Sequence, residues 1–172
     1  RVERIGLLGT GVQARLQLEH LRSVTVCREV LAWGRDAARL EACLVDLRAL
    51  GFTASGASSP AEIGDTSDLI VTTTASETPL LESVRPGAHV TAVGSDTPTK
   101  QELGSALVGR MDVLVVDSRA QAALRGEVAR AAEAGRVHLA DALELGEVIA
   151  GGGGRTRPDQ TTLADLTGVA VQ

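Results

Sequence analysis

At 172 residues, 44% hydrophobic and 23% charged, the chain is long and apolar enough for one domain with a sizeable core. Its net charge of −5, with no block of like charge, excludes the clustered Lys and Arg that phosphate backbones reward, so no nucleic-acid partner is expected. No stretch approaches the roughly 20 apolar residues of a membrane helix, so no membrane partner is expected either.

With one Trp, one Phe and no Tyr, the core has to be built from Leu, Val, Ile and Ala, as buried parallel strands and Ala-rich helices are. Cys27 and Cys43 match no zinc or redox spacing and read as free thiols in a reducing, cytoplasmic setting, with a single disulfide as the less favoured alternative. The chain opens at Arg1 without an initiator methionine and is read as a piece of a longer protein.

In chain order, Arg4 to Leu8 is a short apolar run that stops at glycine, as a buried strand does. Gly11 to Leu21 has helical spacing, with Ala14, Leu18 and Leu21 on one face. Val30 to Trp33 is a second strand. Asp36 can cap the next helix, where Leu40, Cys43, Leu44, Leu47 and Leu50 repeat at helical intervals before Gly51 closes it. Phe52 to Ser55 is a weak third strand, and Ser59-Pro-Ala-Glu62 opens a short helix with a capping-box pattern. Leu69 to Thr72 and His89 to Val93 are strands.

Further on, Gln101 to Val108 reads as a helix, with Thr99-x-x-Glu102 as its capping box. Val113 to Val116 is a strand, Ala120 to Ala134 a helix closed by Gly135, and Leu143 to Ile149 a last helix before four glycines. Thr161 to Leu166 adds a final strand. Strands alternating with helices define the fold class: α/β, a Rossmann-like doubly wound parallel sheet with helices on both faces in three layers.

Gly9-Thr10-Gly11-Val12-Gln13-Ala14 lies between the first strand and the first helix and is a GxGxxA loop. Its first glycine permits the tight turn, its second lets backbone approach a pyrophosphate, and Ala14 lets helix pack on strand. The helix N-terminus behind it offers N–H groups and positive dipole to the phosphates. At the end of the second strand, Arg35 stands where a 2′-phosphate would be, which favours NADP over NAD. Asp36 beside it would serve the ribose of NAD but also fits a helix cap, and Arg35 also fits a solvated helix start. Thr72-Thr73-Thr74 ends the fourth strand at the carboxyl edge of the sheet, where ligands of such folds bind; β-branched residues are common there in any case.

Val93-Gly94-Ser95-Asp96-Thr97-Pro98-Thr99-Lys100-Gln101-Glu102-Leu103 is the most specific stretch of the chain. Together with the glycine loop, Asp117-Ser118, Leu145-Gly146-Glu147-Val148 and the closing Leu166-Thr-Gly168-Val-Ala170, it resembles the ornithine cyclodeaminase/μ-crystallin family over essentially the whole length. The resemblance implies an NAD(P)-dependent enzyme acting by hydride transfer at the Cα of a small amino acid or cyclic imine, with ornithine to proline as the leading case. Its alternatives are a ketimine reductase, an alanine dehydrogenase, or a cofactor-dependent ligand-binding protein. It implies residues 1–172 as the NAD(P)-binding domain of a homodimer whose substrate and dimerisation domain lies outside this chain.

Asp96 matches the family's catalytic aspartate. Once hydride has left Cα, an iminium must be attacked by an amine or water that loses a proton, and a carboxylate in reach can take it. Asp96-x-Pro98 also fits a plain turn, and Lys100 a solvated lysine. The candidate cofactor-binding residues are Gly9, Thr10, Gly11, Val12, Gln13, Arg35, Thr73, Thr74, Val93 and Gly94; the candidate catalytic residue is Asp96. His20, His89 and His138 are scattered without ligand spacing, and no metal site is expected.

Overall fold

In a computed structural model, which describes residues 1–168, eight parallel strands form one sheet in the order β3-β2-β1-β4-β5-β8-β6-β7. The first half runs β1 (Ile5–Leu8), α1 (Val12–Val24), β2 (Glu29–Trp33), α2 (Ala37–Ala49), β3 (Thr53–Gly56), α3 (Pro60–Thr66) and β4 (Leu69–Thr72). The second runs β5 (His89–Ala92), α4 (Ser105–Val108), β6 (Val113–Val116), α5 (Arg119–Ala122), α6 (Glu127–Glu133), β7 (Leu143–Glu144), α7 (Leu145–Ile149) and β8 (Thr162–Asp165), with a 3₁₀ turn at Leu139–Asp141. The last two residues of the closing Leu166–Ala170 stretch lie outside the described residues.

Two cores sit on opposite faces of this sheet, because successive strand residues point opposite ways. Ile5 and Leu7 of β1 pack with Val30, Ala32 and Val71 against Ala14 and Leu18 of α1 and Cys43, Leu44 and Leu47 of α2. Leu8, Leu31, Ile70, Val90, Ala92, Leu114 and Leu163 face the other way, onto Ile63 of α3, Leu107 and Val108 of α4 and Val128 of α6. Both cysteines are buried and free, as their spacing predicts. Asp36 caps α2 by accepting from the Arg39 amide at 2.8 Å.

Three expectations need correction. The helix expected over Gln101–Val108 exists only as α4. The Glu102 amide donates to the Glu127 carboxylate (2.8 Å) and its carbonyl accepts from Leu80 and Leu81, so this peptide has no capacity left for a helical turn. The Thr99–Glu102 capping box is absent for the same reason. The helix expected over Ala120–Ala134 is broken into α5 and α6 at Gly126, whose φ of +95° leaves the helical region. A Cβ there would come within 2.6 Å of the Asp165 carboxylate, which accepts from the Val128 amide and so caps α6 from β8. Finally, Leu143 and Glu144 pair with Val115 and Val116 as an edge strand, so the last helix begins only at Leu145. The final strand does form, between β5 and β6.

Candidate functional site

Chain order reverses direction between β1 and β4, the neighbours from which the sheet grows both ways, and their carboxyl ends part into a crevice. Gly9 leaves β1 there with φ +116° while its amide donates to the Trp33 carbonyl at 3.0 Å. A Cβ on Gly9 would come within 2.5 Å of Thr73 Oγ1, so only glycine lets the loop pass this close to β4. Gly11 is different: a Cβ there meets nothing within 4 Å. Its lack of a side chain relieves no contact inside the chain and leaves the backbone open to a ligand.

Gly11 is the N-cap of α1 and supplies no side-chain cap, so the first amides of this 13-residue helix face the crevice end without a side-chain acceptor. Arg15 braces the loop from behind, donating to the carbonyls of Thr10 (2.6 Å) and Gly11 (3.0 Å) while its Nε meets Asp46 of α2 at 2.6 Å. This cradle, open at Gly11 and lined with helix amides, fits a pyrophosphate.

Two clefts open from the loop. The first, of about 380 Å³, is lined by Gly9, Thr10, Gly11, Trp33, Gly34, Arg35, Asp36, Arg39 and the Thr73–Ser76 segment with Leu80. The second, of about 160 Å³, is lined by Gln13, Val93, Gly94, Asp96 and Lys100, and shares Thr73, Thr74 and Ala75 with the first. Every candidate binding residue from the sequence lines one or both, except Val12, which is 73% exposed and lines neither. Asp96, the candidate catalytic residue, stands at the second cleft beside Lys100, whose Nζ is 2.6 Å from its Oδ1. Arg35 and Arg39 together bring two guanidinium groups to the far end of the first.

Sequence reasoning missed Arg15 and Arg39, which belong to no motif. It also misassigned Glu102. That side chain is fully buried and its carboxylate accepts from Thr72 Oγ1 (2.7 Å), the Gly94 amide (2.9 Å) and the Thr74 amide. Burial raises its pKa, against the pull of these donors. His89 is structural: Nδ1 lies 2.7 Å from Thr162 Oγ1 and Nε2 3.1 Å from Thr91 Oγ1, and burial lowers its pKa to about 4. The Asp117-Ser118 and Leu166–Gly168 stretches meet each other, Asp117 accepting from the Gly168 amide at 2.8 Å. In the Leu145–Val148 stretch, Glu147 pairs with Arg119 at 2.7 Å. Among the described residues, no group of three His, Cys, Asp or Glu could hold a metal ion, and no helix is long and apolar enough to cross a membrane.

Sheet order, glycine loop and crevice define a Rossmann-type dinucleotide-binding domain. The chain belongs to the ornithine cyclodeaminase/mu-crystallin family, whose sequence profile matches residues 1–172. It is 45% identical over 174 residues to a Rhizobium meliloti protein that carries the name of a dehydrogenase, covering 96% of this chain and 52% of that one. The iminosuccinate reductase of Paracoccus denitrificans, solved with NAD+, superposes with a TM-score of 0.90 at 33% identity, covering 98% of this chain and 52% of that one. An archaeal alanine dehydrogenase dimer with bound NAD gives 0.92 at 34%, over 99% and 53%. The chain therefore spans about half the length of the relatives it matches.

Proposed function

We propose that residues 1–172 are the dinucleotide-binding domain of an NAD(P)-dependent enzyme that interconverts a small amino acid and its imine at Cα, with cyclodeamination of ornithine to proline as the leading case. The observation that carries this reading is the position of Asp96 in a cleft joined to the glycine loop through Thr73, Thr74 and Ala75. A bound nicotinamide dinucleotide would supply the hydride chemistry. This chain's residues hold it and handle the proton.

The loop from Gly9 to Gln13 and the start of α1 take the pyrophosphate. Arg35, with Arg39 beside it, takes a 2′-phosphate, which keeps the preference for NADP. Asp36 spends one oxygen on the Arg39 amide and retains the other for a ribose hydroxyl if NAD is used. Asp96 accepts a proton from the amine or water that attacks the iminium and steadies that cation. The remaining substrate contacts, and a dimer interface, are assigned to the part of the protein outside this chain. Family membership and the amino-acid chemistry named for the two superposed structures support this reading.

The test is a spectrophotometric assay of the full-length protein. Reduced dinucleotide is offered with Δ1-pyrroline-2-carboxylate, iminosuccinate, or pyruvate and ammonia; oxidised dinucleotide is offered with ornithine. Consumption of dinucleotide with one of the imines supports a reductase. Equal amounts of proline and ammonia from ornithine, with no net change in dinucleotide, support the cyclodeaminase. Tight dinucleotide binding with no turnover on any of these would replace the enzyme by a ligand-binding protein.

A further inference from the structure

Glu102, Glu127 and Asp165 lie inside the domain with 0%, 0% and 1% of their surface exposed. None of them forms an ion pair with a basic side chain among the described residues. Unpaired buried carboxylates are costly to keep, and apolar residues of similar size would usually serve stability as well or better. What Glu102 and Glu127 hold is therefore informative.

Glu102 joins two strand ends. The β4–β5 ladder finishes where the Val93 amide donates to the Thr72 carbonyl at 2.9 Å. Beyond that point the strands have no further backbone bond between them in the ladder, and the Glu102 carboxylate takes over. Its Oε2 receives Thr72 Oγ1 and the Gly94 amide, and its Oε1 receives the Thr74 amide. Thr74 and Gly94 are walls of the second cleft, which Glu102 itself does not line. Gly94 is pressed so closely between Thr74 and Glu102 that a Cβ would stand 2.3 Å from the Thr74 carbonyl oxygen.

Glu127 closes the base of the next loop. Its Oε1 receives Ser95 Oγ (2.6 Å) and the Glu102 amide (2.8 Å), and its Oε2 receives the Leu103 amide (3.0 Å). Ser95 starts the loop that carries Asp96 and Lys100, and Glu102–Leu103 end it. Arg130 of α6 also donates to the Pro98 carbonyl in the middle of that loop. Each carboxylate thus meets three converging donors with two acceptor oxygens, an arrangement that an amide cannot copy without turning its own N–H₂ toward a backbone N–H.

We propose that Glu102 and Glu127 form a two-carboxylate clip that sets the wall of the second cleft and the seat of Asp96, as positioning residues that touch neither dinucleotide nor substrate. The clip rests on the dinucleotide reading given above. Its contacts touch the first cleft only at Thr74, on the side that cleft shares with the second, and none reaches Arg35, Asp36 or Arg39 at its far end.

The test uses the full-length protein with two probes: whichever of NADH and NADPH it prefers, and the ADP-ribose fragment of that dinucleotide, which lacks the nicotinamide ring. Glu102→Gln should weaken binding of the whole dinucleotide and lower kcat by about tenfold or more each, since small misplacements at a reacting centre are amplified in rate. Its affinity for the fragment should stay within about twofold of wild type, as the far end of the site is untouched. Glu127→Gln should lower kcat more than dinucleotide affinity. Should Glu102→Gln fail to fold, Ser95→Ala removes one hydroxyl from the clip, keeps both carboxylates, and should again lower kcat with fragment binding unchanged. Equal losses for the two probes would mean general loosening and overturn the clip, as would wild-type behaviour with both. A wild-type protein that binds neither probe would overturn the dinucleotide reading and the clip with it.

Discussion

Lys100 holds its ammonium 2.6 Å from the Asp96 carboxylate across a loop, a spacing of four residues achieved without a helix. The pair is partly open to water, with the Asp96 side chain 53% and the Lys100 side chain 25% exposed, so it adds little to stability. What it does is hold the Asp96 side chain in place at the mouth of the second cleft. Asp96→Asn in the full-length protein should lower turnover by about 10²-fold or more while leaving dinucleotide affinity and thermal midpoint near wild type. Undiminished turnover would return Asp96 to the role of a turn residue.

Arg35→Ala should weaken NADPH binding about tenfold or more, the scale of a lost charge-assisted hydrogen bond, and change NADH binding little. Arg39→Ala should act in the same direction, since both side chains line one end of the first cleft. Fluorescence titration with both dinucleotides reads this directly. Equal losses for NADH and NADPH would shift the ribose contact to Asp36.

The two loop glycines should fail in different ways. Gly9→Ala forces a side chain into φ +116° and against Thr73, so it should lower stability by about 1–3 kcal/mol. Gly11→Ala adds a methyl to open space and should leave the thermal midpoint unchanged while impairing dinucleotide binding. A Gly11→Ala protein that binds normally would show that no ligand backbone passes there.

Two buried groups should give opposed pH dependences. Burial lowers His89 to about 4 from 6.5, so between those values the unfolded chain binds a proton that the folded one refuses, and stability is lost on acidification. Burial raises Glu127 from 4.5 to about 7, so there the folded state binds the extra proton and stability is lost as pH rises. Each effect is worth up to about 3 kcal/mol at these shifts, and they offset each other between about pH 4.5 and 6.5. Urea midpoints across this range should therefore fall more steeply with pH in His89→Gln than in wild type, and less steeply in Glu127→Gln. Parallel profiles for all three proteins would refute the assignment.

The fold was legible in the sequence because its signals are local: apolar runs for strands, helical repeats such as Leu40 to Leu50, and glycines between them. Both cores follow from those repeats. The parts that were misread are those in which a distant side chain decides. Nothing near Glu102 announces that its amide will go to Glu127, or that its carboxylate will be needed between β4 and β5. The capping-box spacing at Thr99 was a chance match to a local rule, overridden by long-range partners. The break at Gly126 depends likewise on Asp165 of β8, 39 positions further on. For the site, the loop from Gly9 to Gln13 and the stretch through Asp96 could be found as motifs, and the structure brings them to adjoining clefts. Arg39 and Arg15 carry no motif, and their neighbours only appear once the chain is folded.

The place of β8 has a consequence for the order in which the chain assembles. Residues Thr162–Asp165 are hydrogen-bonded on one side to β5 and on the other to β6, more than 70 and about 50 positions earlier. Strands β1 to β5 can pair as soon as they leave the ribosome, but the half of the sheet that supports α6 has a gap until the last strand is threaded in. Closing such long loops is slow, and the unpaired edges of β5 and β6 stay open to wrong partners in the meantime. Synthesis that stops before Thr162 should thus leave a folded glycine-loop half beside an open, aggregation-prone half: a nascent protein able to grip a nucleotide before it can seat its aspartate.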